Sequence, residues 1–153
     1  MTLWIVEDDS FGAEVVALLS DHLASMHQHS PAGSVHALDP GGLRDPAVTF
    51  WSAWVGRDLA GCGALKELGP AHGEVKSMRT APAFLRQGVA AALLDQIVAT
   101  ARARDYRQVS LETGSGPAFA PAQALYARHG FVPCGPFADY VDDPFSRFFT
   151  REL

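Results

Sequence analysis

The segment with the clearest chemical potential is Met78-Arg79-Thr80-Ala81-Pro82-Ala83-Phe84-Leu85-Arg86-Gln87-Gly88-Val89-Ala90. A β-rich run ends, Pro82 breaks it, and small residues open an apolar helix. Such a junction turns a row of backbone N–H groups toward the positive end of a helix, a site suited to a pyrophosphate. Gly88 and Ala90 keep side chains out of the way, so phosphate oxygens can reach the backbone. Read alone, the same residues equally describe a helix start with an incidental glycine. Neither common phosphate fingerprint is present in full, whether G-x-x-x-x-G-K-[ST] or G-x-G-x-x-G.

A second constellation lies roughly forty residues further on. Ala122-Gln123-Ala124-Leu125-Tyr126-Ala127-Arg128-His129-Gly130-Phe131 sets a tyrosine late in a short helix that Gly130 ends. Arg128 and His129 complement the dipole of that helix. Without further context, Tyr126 reads as an aromatic on a core-facing stripe.

Together the two segments resemble the GNAT superfamily of N-acetyltransferases. Its pyrophosphate loop, [Q/R]-x-x-G-x-[G/A] after P-x-x, is matched by Leu85-Arg86-Gln87-Gly88-Val89-Ala90 after Pro82-Ala83-Phe84. Its later helix, A-x-x-L-Y-x-x-x-G-F, is matched at Ala122, Leu125, Tyr126, Gly130 and Phe131. The resemblance runs over residues 59–134, and segments at 34–39, 111–114 and 134–140 are similar to one branch of the superfamily. It implies acetyl-CoA as co-substrate and an amine acceptor, small molecule or peptide. It further implies that Met78, Arg79 and Thr80 bind the cofactor, with Met78 and Thr80 hydrogen-bonding the pantetheine through their backbone at a splayed strand. Arg86, Gln87, Gly88, Val89 and Ala90 would hold the pyrophosphate, and Tyr126 would protonate the departing thiolate. Two positions depart from the pattern. Leu85 stands where the superfamily has Gln or Arg, and Phe119 where an Asn often precedes the tyrosine helix.

An amine with a pKa near ~10 must lose a proton to attack a thioester, so a base or a water chain is expected. Glu112, at the end of the strand before the tyrosine helix, is the leading candidate, and Glu74, at the start of the strand before the loop, the second. Each reads equally as a solvated strand-end carboxylate. His36 and Asp39 fall in an irregular region expected to border the acceptor, with His36 a candidate substrate contact. The histidines and cysteines show no metal-ligand grouping beyond His27-x-His29, so no metal is expected. Cys62, between Gly61 and Gly63, reads as a small buried residue rather than a nucleophile.

These residues need elements to position them. Residues 3–6 read as a first strand, and Ser10 as the cap of a helix to about Met26 with Phe11, Val15, Leu18, Leu19, Leu23 and Met26 on one face. Residues 27–46 are irregular, with at most one helical turn. Two β-rich runs, 48–55 and 59–67, flank Gly56-Arg57-Asp58 as a hairpin, and a third, 74–80, follows a turn at 69–73. Trp51 and Trp54 point to opposite faces, one toward the core and the other available to a pocket. A long apolar helix to about Arg104 follows, then a strand at 108–112, a helix at 121–129 and strands at 131–134 and 148–153. The expected fold is α/β, with an antiparallel meander leading into one βαβ crossover and helices on both faces of a mixed sheet.

The chain of 153 residues, 48% hydrophobic and 19% charged, fits a single folded domain over 1–153. A net charge of −5 lacks the basic footprint of a nucleic-acid partner. Two unrelated cysteines suggest a reducing compartment, and no apolar run is long enough to be a membrane anchor. A cytoplasmic location is expected, with a homodimer through the C-terminal strands a reasonable assembly. The main rival to an enzyme is a non-catalytic acyl-CoA-binding or regulatory domain on the same fold. A nucleotide-dependent transferase would need a phosphate-binding lysine and metal-holding carboxylates that the loop lacks.

Overall fold

The computed structural model describes residues 2–36 and 40–153. Its strands are β1 (Trp4–Glu7), β2 (Val48–Val55), β3 (Asp58–Gly69), β4 (His72–Thr80), β5 (Gln108–Gly114), β6 (Val132–Cys134) and β7 (Ser146–Glu152). Its helices are α1 (Ala13–His29), α2 (Pro40–Leu43), α3 (Val89–Ala103) and α4 (Ala120–Arg128). The strands form one sheet in the order β1-β2-β3-β4-β5-β7-β6. Among the described residues only β4 and β5 run parallel, joined by the α3 crossover, and every other neighbouring pair is antiparallel. This is the expected meander followed by a βαβ unit.

Strand alternation builds a core on each face. Phe50, Cys62 and Ala64 face α1 and α2, where they meet Phe11, Val15, Leu18, Leu19 and Leu43. Trp51, Ala53 and Leu65 face the other way, toward Leu93, Leu94 and Ile97 of α3 and Tyr126 of α4. Trp51 and Trp54 do diverge, but Trp54 packs against the α1-side cluster and donates its Nε1–H to Ser52 Oγ at 2.8 Å. Gly61 and Gly63 let α3 lie close on the sheet. A Cβ at Gly61 would sit 2.9 Å from Val89 Cγ1, and one at Gly63 would sit 3.2 Å from Ile97 Cδ1. That close seat fixes where the N-terminus of α3 lies.

Several boundaries differ from expectation for local reasons. Ser10 does not cap α1; its N–H and Oγ both donate to Asp8 Oδ1, at 3.0 and 2.9 Å, and Gly12 takes the cap position. The helix runs on to His29, because no breaker follows the last apolar residue until Pro31. The irregular region holds a 3-10 turn (Ala32–Ser34) and the single turn of α2, so two short helical pieces rather than one. The expected turn at 69–73 shrinks to Pro70-Ala71, since Gly69 and His72 pair across the hairpin. Glu74 is therefore two residues inside a strand, not at its start.

The feature that shapes the site is a divergence between β4 and β5. Their parallel ladder covers only His72–Val75 against Gln108–Leu111, although β4 continues to Thr80 and β5 to Gly114. The β3–β4 register shifts between Cys62 and Ala64, and Ser77 adopts a φ of 55°, a bulge that turns β4 away. Meanwhile β5 stays paired to β7 through Gly114. The two strands open like a V.

Candidate active site

A cavity of about 110 Å³ fills the opening of the V. Its lining includes Glu74, Lys76, Ser77 and Met78 from β4, Glu112 from β5 and Tyr126 from α4. His22 of α1, His36, Phe119 and Tyr140 close it. Five of the residues singled out in the sequence, Tyr126, Glu112, Glu74, His36 and Met78, thus meet in one place. Arg79, Thr80, Arg86, Gln87, Gly88, Val89 and Ala90 do not line this cavity. They follow it along the chain, through the end of β4, a 3-10 turn (Pro82–Phe84) and into α3. Asp39 lies outside the described residues.

At the start of α3 the backbone is shaped as an anion cradle requires. Arg86 and Gly88 have φ of 61° and 84°, and Gly88 caps the helix in the left-handed region. The first α3 amide to find an intrahelical carbonyl is that of Ala92, which donates to Gly88 at 3.0 Å. The amides ahead of it are the unsatisfied first-turn donors of any helix. A Cβ on Gly88 would meet nothing within 4 Å, so the approach is open. Val89 is buried in the core and offers only its backbone, while Gln87 turns its Nε2 back to Ala83 O at 3.3 Å. Leu85 is 56% exposed, so this departure from the family pattern points to solvent and not inward. This backbone geometry fits an anion at the helix N-terminus.

Inside the cavity, burial retunes the titratable groups. Burial pushes the Glu112 carboxyl up to about 7, against an opposing hydrogen bond donated by Ser146 Oγ at 2.7 Å and the charge of Lys76. It is not a solvated strand-end group. Burial, reinforced by the charge of Glu112, pushes the Tyr126 phenol up to about 12. Its ring lies edge-on to Phe131, with centroids 6.0 Å apart. Glu74 is also not solvated: at 3% exposure it accepts from Tyr140 Oη at 2.5 Å and from Lys76 Nζ at 3.3 Å. Lys76 Nζ donates to Tyr140 Oη as well, at 3.0 Å. Both bonds fall on Oε2, and this closed triad makes Glu74 a structural neighbour of the cavity. The Tyr140 phenol is held well above its ordinary range by burial and by Glu74.

His36 packs edge-on against Tyr140, with centroids 5.0 Å apart, and burial and the Lys76 charge lower its pKa. Phe119, in place of the family's usual Asn, fills the space over Gly114, whose Cβ would fall 2.1 Å from its ring. Cys62 is fully buried, its Sγ donates to Ser77 O at 3.3 Å, and burial pushes its thiol up to about 12, unlike a nucleophile. No group of His, Cys, Asp or Glu among the described residues is arranged to hold a metal ion.

Residues not singled out from the sequence also shape the site. His22 falls four residues after Leu18 on the apolar face of α1, and a histidine in such a stripe is a usable signal. Lys76 stands two residues from Glu74 on the same strand face, a pairing that period-2 reading exposes. Tyr140 and Ser77 carry no comparable signal, because a loop and a bulge place them.

Comparison with known proteins agrees with this geometry. The family model for the acetyltransferase (GNAT) family matches residues 13–131. The chain belongs to this family. It is 54% identical over 146 residues to the uncharacterised N-acetyltransferase YsnE of Bacillus subtilis, covering 95% of this chain and 97% of that one. It is 51% identical over 149 residues to the uncharacterised N-acetyltransferase YedL of Escherichia coli, covering 97% and 94%. Among solved structures, one assigned as an acyl-CoA N-acyltransferase from Klebsiella pneumoniae superposes with a TM-score of 0.80 at 28% identity, covering 99% and 98%. A GNAT family acetyltransferase from Elizabethkingia anophelis, with acetyl-CoA bound, shares the fold at a TM-score of 0.68 and 16% identity, covering 99% and 98%. The protein is therefore a GNAT acyltransferase, and its mixed α/β sheet is that family's fold.

Proposed function

We propose that this acetyltransferase moves the acetyl group of acetyl-CoA onto an amine by direct attack, with Glu112 as the base and Tyr126 as the acid. The observation that carries this reading is the V between β4 and β5, which brings Tyr126 and Glu112 to one cavity. Acetyl-CoA supplies an activated acyl group joined through sulfur. Backbone groups of β4 at Met78 and Thr80 would hold the pantetheine arm. The first-turn amides of α3, with Arg86 beside them, would hold the pyrophosphate.

The protons balance within the cavity. The acceptor nitrogen bonds to the acyl carbon as the carbon–sulfur bond breaks. Glu112 takes the nitrogen proton, and Tyr126 gives its proton to sulfur. Glu112 then returns its proton to the Tyr126 oxygen, so the net transfer is from nitrogen to sulfur. A carboxyl near 7 is matched to taking and returning a proton at neutral pH. The effect of the Glu112 charge on Tyr126 supports their nearness.

Thermal melting tests the cofactor half. Acetyl-CoA at about 100 times its Kd should stabilise the fold by roughly 2.7 kcal/mol, while NAD should not. Gly88→Asp should abolish the shift and Gly88→Ala, which shares the backbone strain without the charge, should keep most of it. A shift with NAD and none with acetyl-CoA would sink the reading.

A further inference from the structure

We propose that His22 and Ser77, backed by the Arg79 guanidinium, form a carboxylate-binding end of the cavity, so that the acceptor is a small amine that also carries a carboxylate, such as an amino acid. The inference rests on the acetyl-transfer reading above and specifies its acceptor.

Three buried polar atoms have no hydrogen-bond partner among the described residues: His22 Nδ1, Ser77 Oγ and Arg79 Nε. His22 and Ser77 are each 7% exposed, and both face the cavity. Arg79 pairs across the ladder with Cys62, a residue of the α1-facing core, so its side chain lies on the face that α1 covers. There its charge acts on His22. Buried polar groups left unpaired cost free energy, so three together mark a place that a ligand's polar group completes.

The chemistry of the trio selects the ligand. A hydroxyl and an imidazole that can present an N–H, with the fixed positive charge of Arg79 acting on them from behind, suit a carboxylate. The cation that lines the cavity, Lys76, is already paired with Glu74 and donates to Tyr140. The far wall is of opposite character, with Glu112 on β5 and Glu74 behind it. A molecule with an amine at one end and a carboxylate at the other matches both walls and points its nitrogen at Glu112. A cavity of about 110 Å³ limits it to amino-acid size. Burial and the Arg79 charge hold His22 down at about 4, so it is neutral before the ligand arrives. A bound carboxylate counters the Arg79 charge and, as a close negative partner, should raise it.

Two measurements test the proposal. Thiol release from acetyl-CoA is followed with the common L-amino acids and β-alanine, each against its own carboxamide. At least one acid should exceed its carboxamide in kcat/KM by roughly 10- to 100-fold, as expected for hydrogen bonds to a charged group. Arg79→Met and His22→Leu should erase that preference through the acceptor KM while leaving the acetyl-CoA KM unchanged. Equal turnover of acids and carboxamides overturns the proposal. So does a rise confined to the acetyl-CoA KM, which would assign the trio to the pantetheine arm. The second measurement needs no turnover. The imidazole resonances of His22 are followed by NMR as the CoA-loaded protein is titrated with the N-acetyl derivatives of the same panel. An acid should move them and raise the His22 pKa where its carboxamide does not. If no acid moves them, the proposal fails. If an acid does but no amine is ever acetylated, the acetyl-transfer reading fails and the carboxylate site stands.

Discussion

Replacing Glu112 with glutamine should make the protein more stable and less active at the same time. Burial places its carboxyl near 7, against an ordinary value of 4.5, a difference of 2.5 pH units. At 1.36 kcal/mol per unit this amounts to about 3 kcal/mol. The sign follows from where the proton sits. Between the two values the folded state holds a proton that the unfolded chain releases, so native stability falls as pH rises from about 4.5 to about 7. Glu112→Gln removes that loss while keeping an acceptor for Ser146 Oγ. Urea melts of both proteins at a series of pH values read the effect directly. Below pH 4 the two should differ little, and by pH 8 the variant should be ahead by up to about 3 kcal/mol, roughly 6 to 12 °C in Tm for a domain of this size. Its kcat should fall by at least about 100-fold, and the wild-type fall in kcat below about pH 7 should vanish. Parallel stability–pH curves would refute the reasoning, because they would mean that Glu112 keeps an ordinary, solvated carboxylate.

Two further substitutions probe the surroundings. Leu85→Arg should tighten acetyl-CoA binding by about 0.5 kcal/mol, with the gain shrinking at high salt, because an exposed cation would join the pyrophosphate cradle; calorimetric titration at two salt concentrations checks it. Gly114→Ala should cost about 1–3 kcal/mol in denaturant melts, because its Cβ would sit 2.1 Å from the buried Phe119 ring.

Much of this was legible before the fold was known. The loop at 85–90 and the tyrosine helix carry their signals locally, in a proline, a glycine and an apolar stripe, so their elements are found within a residue or two. The opposite facing of Trp51 and Trp54 on β2 anticipates the two cores. What the chain hides is set by contacts distant in sequence. Glu74 reads as a solvated strand end, yet Tyr140, from the loop after β6, engages it. The charge state of Glu112 depends on burial that no local pattern encodes. The bulge at Ser77, which opens the V, rests on a left-handed serine that sequence rules do not anticipate. Ser10 satisfies the composition of a cap but turns to Asp8, a choice between two local hydrogen bonds that only the packed chain resolves.

The central claim is that this pocket performs acetyl transfer with Tyr126 as the acid, and single-residue kinetics test it most directly. Tyr126→Phe keeps a buried ring against Phe131 and deletes one hydroxyl. With any amine that the wild type acetylates, the account predicts a fall in kcat on the order of 100-fold or more, with the Kd for acetyl-CoA unchanged. An unchanged kcat would contradict it and return Tyr126 to the role of a core aromatic.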